Sequence, residues 1–89
     1  MIDKFSGKTV IITGAGKGIG RACAHLLAER GASIVAMART QSDLDALGAK
    51  IGARTIQADL SQSRAARNAM QTAGIADFLI NCAGTNVLE

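Results

Sequence analysis

The residues best placed to do chemistry are Thr13-Gly14-Ala15-Gly16-Lys17-Gly18-Ile19-Gly20, which stand where a β-branched run gives way to a helical pattern. Glycines at such a turn let the backbone approach a ligand closely. The free N–H groups and positive dipole end of the following helix then attract a pyrophosphate. Glycine-rich turns also join strands to helices without a ligand, but a strand before and a helix after favour the dinucleotide reading. Single residues exclude the neighbouring motifs. A P-loop needs Ser or Thr after its Lys, and Lys17 is followed by Gly18; a GxGxxG match begun at Gly14 ends on Ile19. A methyltransferase-like site would carry an acidic residue after the second strand, and none stands there. The pattern that fits is TGxxxGxG.

Charge argues for the type of dinucleotide. Sites specific for NAD place an acidic side chain about 20 residues beyond the glycines, at the end of the second strand, to hold the ribose 2′-hydroxyl. This chain has Ala38-Arg39-Thr40 there. The Arg39 guanidinium pairs with a 2′-phosphate and stacks on adenine, and Lys17 brings a second positive charge to the same group. Either base alone reads equally well as solvated surface; together, with no carboxylate at the position, they point to NADP(H).

The elements that must hold these groups alternate. Lys8 to Thr13 reads as a strand buried on both faces. Gly18 through Arg30 places Ile19, Ala22, Cys23, Leu26 and Leu27 at helical spacing, with Gly31 as the left-handed residue after it. Ser33 to Ala38 is a second strand. Thr40 or Ser42, each with Asp three residues on, caps a short helix through about Lys50. Arg54 to Gln57 is a third strand; Ser61 caps a helix through about Ala73 closed by Gly74, and Asp77 to Asn81 is a fourth strand. Such βαβ units predict an α/β, Rossmann-type parallel sheet with flanking helices. Right-handed crossovers give the strand order 3-2-1-4, so the loops after strands one and four meet at a topological switch point.

Composition agrees with one small domain. The 89 residues are 48% hydrophobic and 19% charged, which suits a buried sheet rather than a disordered tail. The formal charge of +3 comes from scattered bases with no run and no aromatic interleaving, so no nucleic-acid partner is expected. No apolar stretch suits a leader or a membrane span, and the default location is a reducing cytoplasm. Cys23 and Cys82 lack metal-like or CxxC spacing and read as small core hydrophobes; His25 has no second ligand near it, and no metal site is expected.

With these motifs in order, essentially the whole chain resembles the classical short-chain dehydrogenases/reductases, and Thr13 to Thr40 looks most like their carbonyl-reductase and xylulose-reductase branch. The resemblance implies that Asp59, followed by Leu60, hydrogen-bonds the adenine amino group. It matches Asn81-Cys82-Ala83-Gly84 to the family's NNAG motif, in which Asn81 steadies the sheet and the Ala83-Gly84 backbone passes the adenine ribose. Cys82 departs from the second Asn of that motif. Ile19 would lie near the nicotinamide. The coenzyme-binding set is thus Gly14, Lys17, Gly18, Ile19, Gly20, Arg39, Thr40, Asp59, Leu60, Asn81, Ala83 and Gly84.

The same resemblance implies a carbonyl or secondary-alcohol substrate and a homo-oligomer. The family's hydride transfer uses a Tyr, a Lys four residues later, a Ser and an Asn, all beyond the fourth strand. This chain has no Tyr, so it contains no catalytic residue and is expected to be inactive alone, as the front part of one NAD(P)-binding domain. A stand-alone dinucleotide-binding or assembly module, or a fragment with no activity, is the competing reading. A strand-four edge left uncovered would favour self-association or strand exchange.

Overall fold

Alternating runs of β-branched residues and Ala/Leu-rich segments set the element order. The structure, a computed structural model, describes residues 5–82. Its elements are β1 (Thr9–Thr13), α1 (Gly18–Glu29), β2 (Ser33–Ala38), α2 (Gln41–Ile51), β3 (Arg54–Gln57), α3 (Ser63–Ala73) and β4 (Phe78–Asn81). All strand pairs are parallel and the order is β3-β2-β1-β4, the order expected of a doubly wound sheet. Thr13 lies opposite both Met37 and Asn81, and Ala38 opposite Gln57, so the carboxyl ends of the four strands are nearly level.

Successive side chains of a strand point to opposite faces, and each face here has its own core. Val10, Ile12, Ile34 and Ala36 pack with Ala24 and Leu27 of α1 and with Leu44 and Leu47 of α2. Ile11, Val35 and Met37 pack on the other face against Ala69 and Ala73 of α3. Burial on both faces explains why the first two strands are continuous apolar runs with no polar alternation.

Several boundaries differ from the sequence expectations, each for a local reason. In α1 the buried stripe is Gly20, Ala24 and Leu27, whereas Ile19 and Leu26 are 77% and 51% exposed and Ala22 is exposed. Small residues face the sheet because they let the helix approach it, and two of the large apolar ones point outward. Gly31 has φ +89° just beyond the helix, the left-handed turn expected there. Thr40 precedes α2 without a side-chain cap, and Ser42 lies inside the helix. Ser61 does not cap α3: it is committed to Asp59, and α3 begins at Ser63 with Gln62 before it. Lys8 and Asp77 fall just outside their strands. Asp77 clamps the start of the pairing instead, its N–H donating to the Thr9 carbonyl (2.9 Å) and its Oδ2 accepting from the Thr9 N–H (2.8 Å).

Candidate coenzyme site

The carboxyl ends of the four strands open onto a cavity of about 700 Å³, lined by Gly14 and Lys17 of the glycine turn, Arg39 and Thr40 after β2, Asp59 and Leu60 after β3, and Asn81. Seven of the twelve residues singled out from sequence therefore converge on one hollow. Gly18, Ile19 and Gly20 begin α1 and stand outside its wall, and Ala83 and Gly84 lie outside the described residues.

The glycine turn is shaped by three separate demands. Gly14 and Gly18 have φ of +69° and +58°, a region L side chains rarely adopt. Gly20 has ordinary helical backbone, but a Cβ there would overlap the Gly14 carbonyl oxygen, so the first turn of α1 is pressed on the loop. Gly16 is buried because Ala38 and Asp43 close over it: a Cβ would stand 3.2 Å from the Ala38 Cβ and 3.1 Å from the Asp43 Cβ. The turn is fixed to the sheet by the Ala15 N–H donating to the Met37 carbonyl at 3.0 Å. No side chain caps α1 and no acidic residue occupies its first turn, which leaves the positive end of its dipole uncompensated by a side chain.

At the switch point the Thr13 hydroxyl donates to Asn81 Oδ1 at 2.7 Å, and the Cys82 N–H donates to the Thr13 carbonyl at 3.1 Å. Thr13 is buried, so this pair locks the ends of β1 and β4 together. Lys17 and Arg39 are exposed, their charged ends open to solvent. The Arg39 backbone is held by Gln57, whose amide donates to the Arg39 carbonyl at 3.0 Å.

Asp59 Oδ1 accepts from the Ser61 hydroxyl (2.6 Å) and the Ser61 N–H (3.0 Å). The hydroxyl bond chiefly, then the N–H, and the nearby Arg39 charge hold the Asp59 carboxyl below its ordinary range, against a small opposing effect of desolvation. Asp59 therefore stays ionised as a hydrogen-bond acceptor. Cys82 is a correction to the core reading. It follows the end of β4, where the chain leaves the sheet, and lines the cavity, while half-buried Cys23 packs at the margin of the α1/α2 core. Burial chiefly, with Cys23 nearby, raises the Cys82 pKa, so it stands there as a neutral thiol.

Sequence reasoning named Gly16 in the glycine motif but left it out of the coenzyme-binding set, and it missed Asp43, Ser61 and the apolar wall of Ala66, Met70 and Leu79 as parts of the site. The Asp-x-Ser spacing from Asp59 to Ser61 is a turn signature that could have revealed Ser61; Asp43 was visible only as a helix-capping residue. The apolar wall needs α3 and β4 to be placed in space.

A parallel α/β sheet with a glycine turn and two cations at its switch point is the architecture in which dinucleotide sites are built. The family model for short chain dehydrogenases matches residues 8–89, and the chain belongs to that family. It is 40% identical over 86 residues to L-xylulose reductase of Mesocricetus auratus, covering 96% of this chain and 35% of that protein. It is 37% identical to carbonyl reductase [NADPH] 2 of Sus scrofa over 86 residues, again 96% and 35% of the two chains. Among solved structures, a short chain dehydrogenase/reductase family protein superposes with a TM-score of 0.85 at 35% identity, over 91% of this chain and 35% of that one. L-sorbose reductase from Gluconobacter frateurii, complexed with NADPH and L-sorbose, gives 0.78 at 34% identity, over 96% and 36%. The chain thus spans about a third of the length of the relatives it matches. Among the described residues no helix is long and apolar enough to cross a membrane.

Proposed function

We propose that residues 1–89 form the N-terminal, NADP(H)-binding part of a single-domain oxidoreductase that interconverts a carbonyl and a secondary alcohol. The observation that carries this reading is the cavity at the switch point, with Lys17 and Arg39 on its wall beside a glycine turn whose helix N-terminus is uncapped. These residues fit a phosphorylated dinucleotide. The uncapped turn of α1 takes the pyrophosphate, Arg39 and Lys17 take the 2′-phosphate, and the ionised Asp59 accepts a hydrogen bond from the adenine amino group. When bound, the nicotinamide supplies or accepts the hydride. The reductase names of the relatives, two of them coupled to NADPH, support the same direction.

Calorimetric titration with NADPH and NADH, or with 2′,5′-ADP and 5′-AMP, tests the reading. The 2′-phosphorylated ligands are expected to bind about tenfold tighter or more; equal affinities would overturn the NADP(H) assignment. A second, narrower reading is a segment that binds coenzyme without turnover, which the cavity formed by these residues alone supports. Retained NADPH binding with no reduction of carbonyl compounds by the 89-residue chain would select it. A longer chain with a Tyr-x-x-x-Lys segment and NADPH-dependent carbonyl reduction would select the enzyme.

A further inference from the structure

Asp43 places a carboxylate on the wall of the coenzyme cavity, and none of the roles assigned above uses it. It is the third residue of α2, where a negative charge favours the helix dipole, and a purely helix-stabilising part would leave it facing solvent. Instead its side chain lies over the glycine turn. A Cβ at Gly16 would stand 3.1 Å from the Asp43 Cβ and 3.2 Å from its Oδ2, and Asp43 is only half-exposed. Gly16 immediately precedes Lys17, and Asp43 is about one helical turn beyond Arg39-Thr40. The carboxylate therefore adjoins both backbone segments that carry the cations. Along the described wall, Lys17 and Arg39 are balanced by Asp43 and Asp59, two charges of each sign.

Asp59 is held by Ser61 and its charge already acts on Arg39, whereas the Asp43 carboxylate has no hydrogen-bond partner among the described residues and adds a second negative field beside the phosphate-binding pair. We propose that Asp43 is a selectivity-determining residue: its negative charge opposes a ligand's 2′-phosphate and so restrains the preference for NADP(H) over NAD(H). The proposal rests on the coenzyme reading above. It names a site that leans toward the phosphorylated coenzyme through Lys17 and Arg39 yet keeps some tolerance of the other through Asp43.

The test compares the intact protein with Asp43→Asn, which keeps the shape and removes the charge, by titrating 2′,5′-ADP and 5′-AMP at low and high salt. At low salt Asp43→Asn is expected to bind 2′,5′-ADP about fivefold tighter, the size expected of a charge pair within several ångströms at a solvated surface. The 5′-AMP affinity should move less than about twofold, and the gain should fade at high salt as screening shortens the Debye length. Asp43→Glu keeps the charge and should keep the original ratio. If Asn lowers the melting temperature, Asp43→Ser provides the same comparison. Equal shifts for both ligands would mark a helix-stabilising role, a loss confined to 5′-AMP would mark a hydroxyl acceptor, and no shift would mark a bystander; each overturns the proposal. The original protein distinguishes the failures. No preference there for 2′,5′-ADP sinks the NADP(H) reading itself, whereas a preference unchanged by Asp43→Asn sinks only this inference.

Discussion

At Gly20 two helix rules conflict. Replacing Gly by Ala inside a helix gains up to about 1 kcal/mol in propensity, yet the new methyl would overlap the Gly14 carbonyl, a backbone atom that cannot rotate away. Overpacking of this kind costs about 1–3 kcal/mol, so Gly20→Ala is expected to lower stability in chemical denaturation and to weaken coenzyme binding by shifting the α1 N-terminus. Arg39→Asp should reverse the preference between 2′,5′-ADP and 5′-AMP; unchanged relative affinities would remove Arg39 from the phosphate site. Asp59 carries a pH dependence of defined sign. Its carboxyl titrates below the ordinary value of 3.8 in the folded chain, so its contribution is complete above that pH and is lost as pH falls through the lower folded value. Asp59→Ala should lose that contribution at neutral pH and flatten this part of the acid limb, so that in a pH series of melting temperatures the two chains converge at acid pH. Residue type and spacing singled out the glycine turn and Arg39, and the family resemblance singled out Asp59; the fold brings Gly14, Lys17, Arg39 and Asp59 to one cavity. Asp43 and Ser61 were not singled out, since each also satisfies an ordinary turn or helix rule and only the folded chain turns them to the cavity.

Elements are held by contacts that periodicity does not reveal. Arg54, at the start of β3, donates from Nη1 to the Ala73 carbonyl (3.1 Å) and from Nη2 to the Thr72 carbonyl (2.6 Å), satisfying carbonyls that end α3 without partners. A cation there also favours the negative end of the helix dipole. Arg54→Ala is expected to cost about 1 kcal/mol, or roughly 4–8 °C in melting temperature for a domain this small; Arg54→Lys, without the planar fork, should recover only part of it. A melting temperature unchanged in both variants would show the fork to be energetically idle. β2 and β3 were legible to the residue because Ala32 and Ala53 follow glycine turns and sharply bound the apolar or β-branched runs. The inward face of α1 was not. Of the residues at helical spacing only Leu27 is buried, with Cys23 packed beside the core; a helix pressed on a glycine turn buries Gly20 and Ala24 and turns Ile19 and Leu26 out. Likewise α3 starts two residues after Ser61, because a hydroxyl that serves Asp59 is withdrawn from capping.

For the whole molecule, strand order was deducible before any coordinate, since a glycine turn after the first strand signals the doubly wound topology, whose right-handed crossovers reverse direction there, and that order brings Thr13 beside Asn81. What it could not give is how unevenly the sheet is covered. β1 is buried along most of its length, whereas its neighbour β4 exposes Phe78 at 42% and Leu79 at 53%, with Ile75 just before it at 97%. Among the described residues β4 pairs with β1 alone, so its outer edge carries main-chain groups open to another strand. Phe78 gains an edge-to-face contact with Phe5, ring centroids 5.4 Å apart, and Leu79 faces the opposite side. An open edge flanked by apolar side chains on both faces is the arrangement that recruits further chain, whether from the same polypeptide or from another copy. As an isolated 89-residue polypeptide the protein is therefore expected to sediment above its 9.1 kDa monomer mass, with the average falling on dilution. Leu79→Lys places a charge on the exposed side of that edge without touching either buried core. It should shift the distribution to monomer with little loss of melting temperature, because Leu79 is already half in water. A strictly monomeric parent chain at high concentration would show that the edge is covered within the chain itself, and Leu79→Lys would then lower stability instead of association.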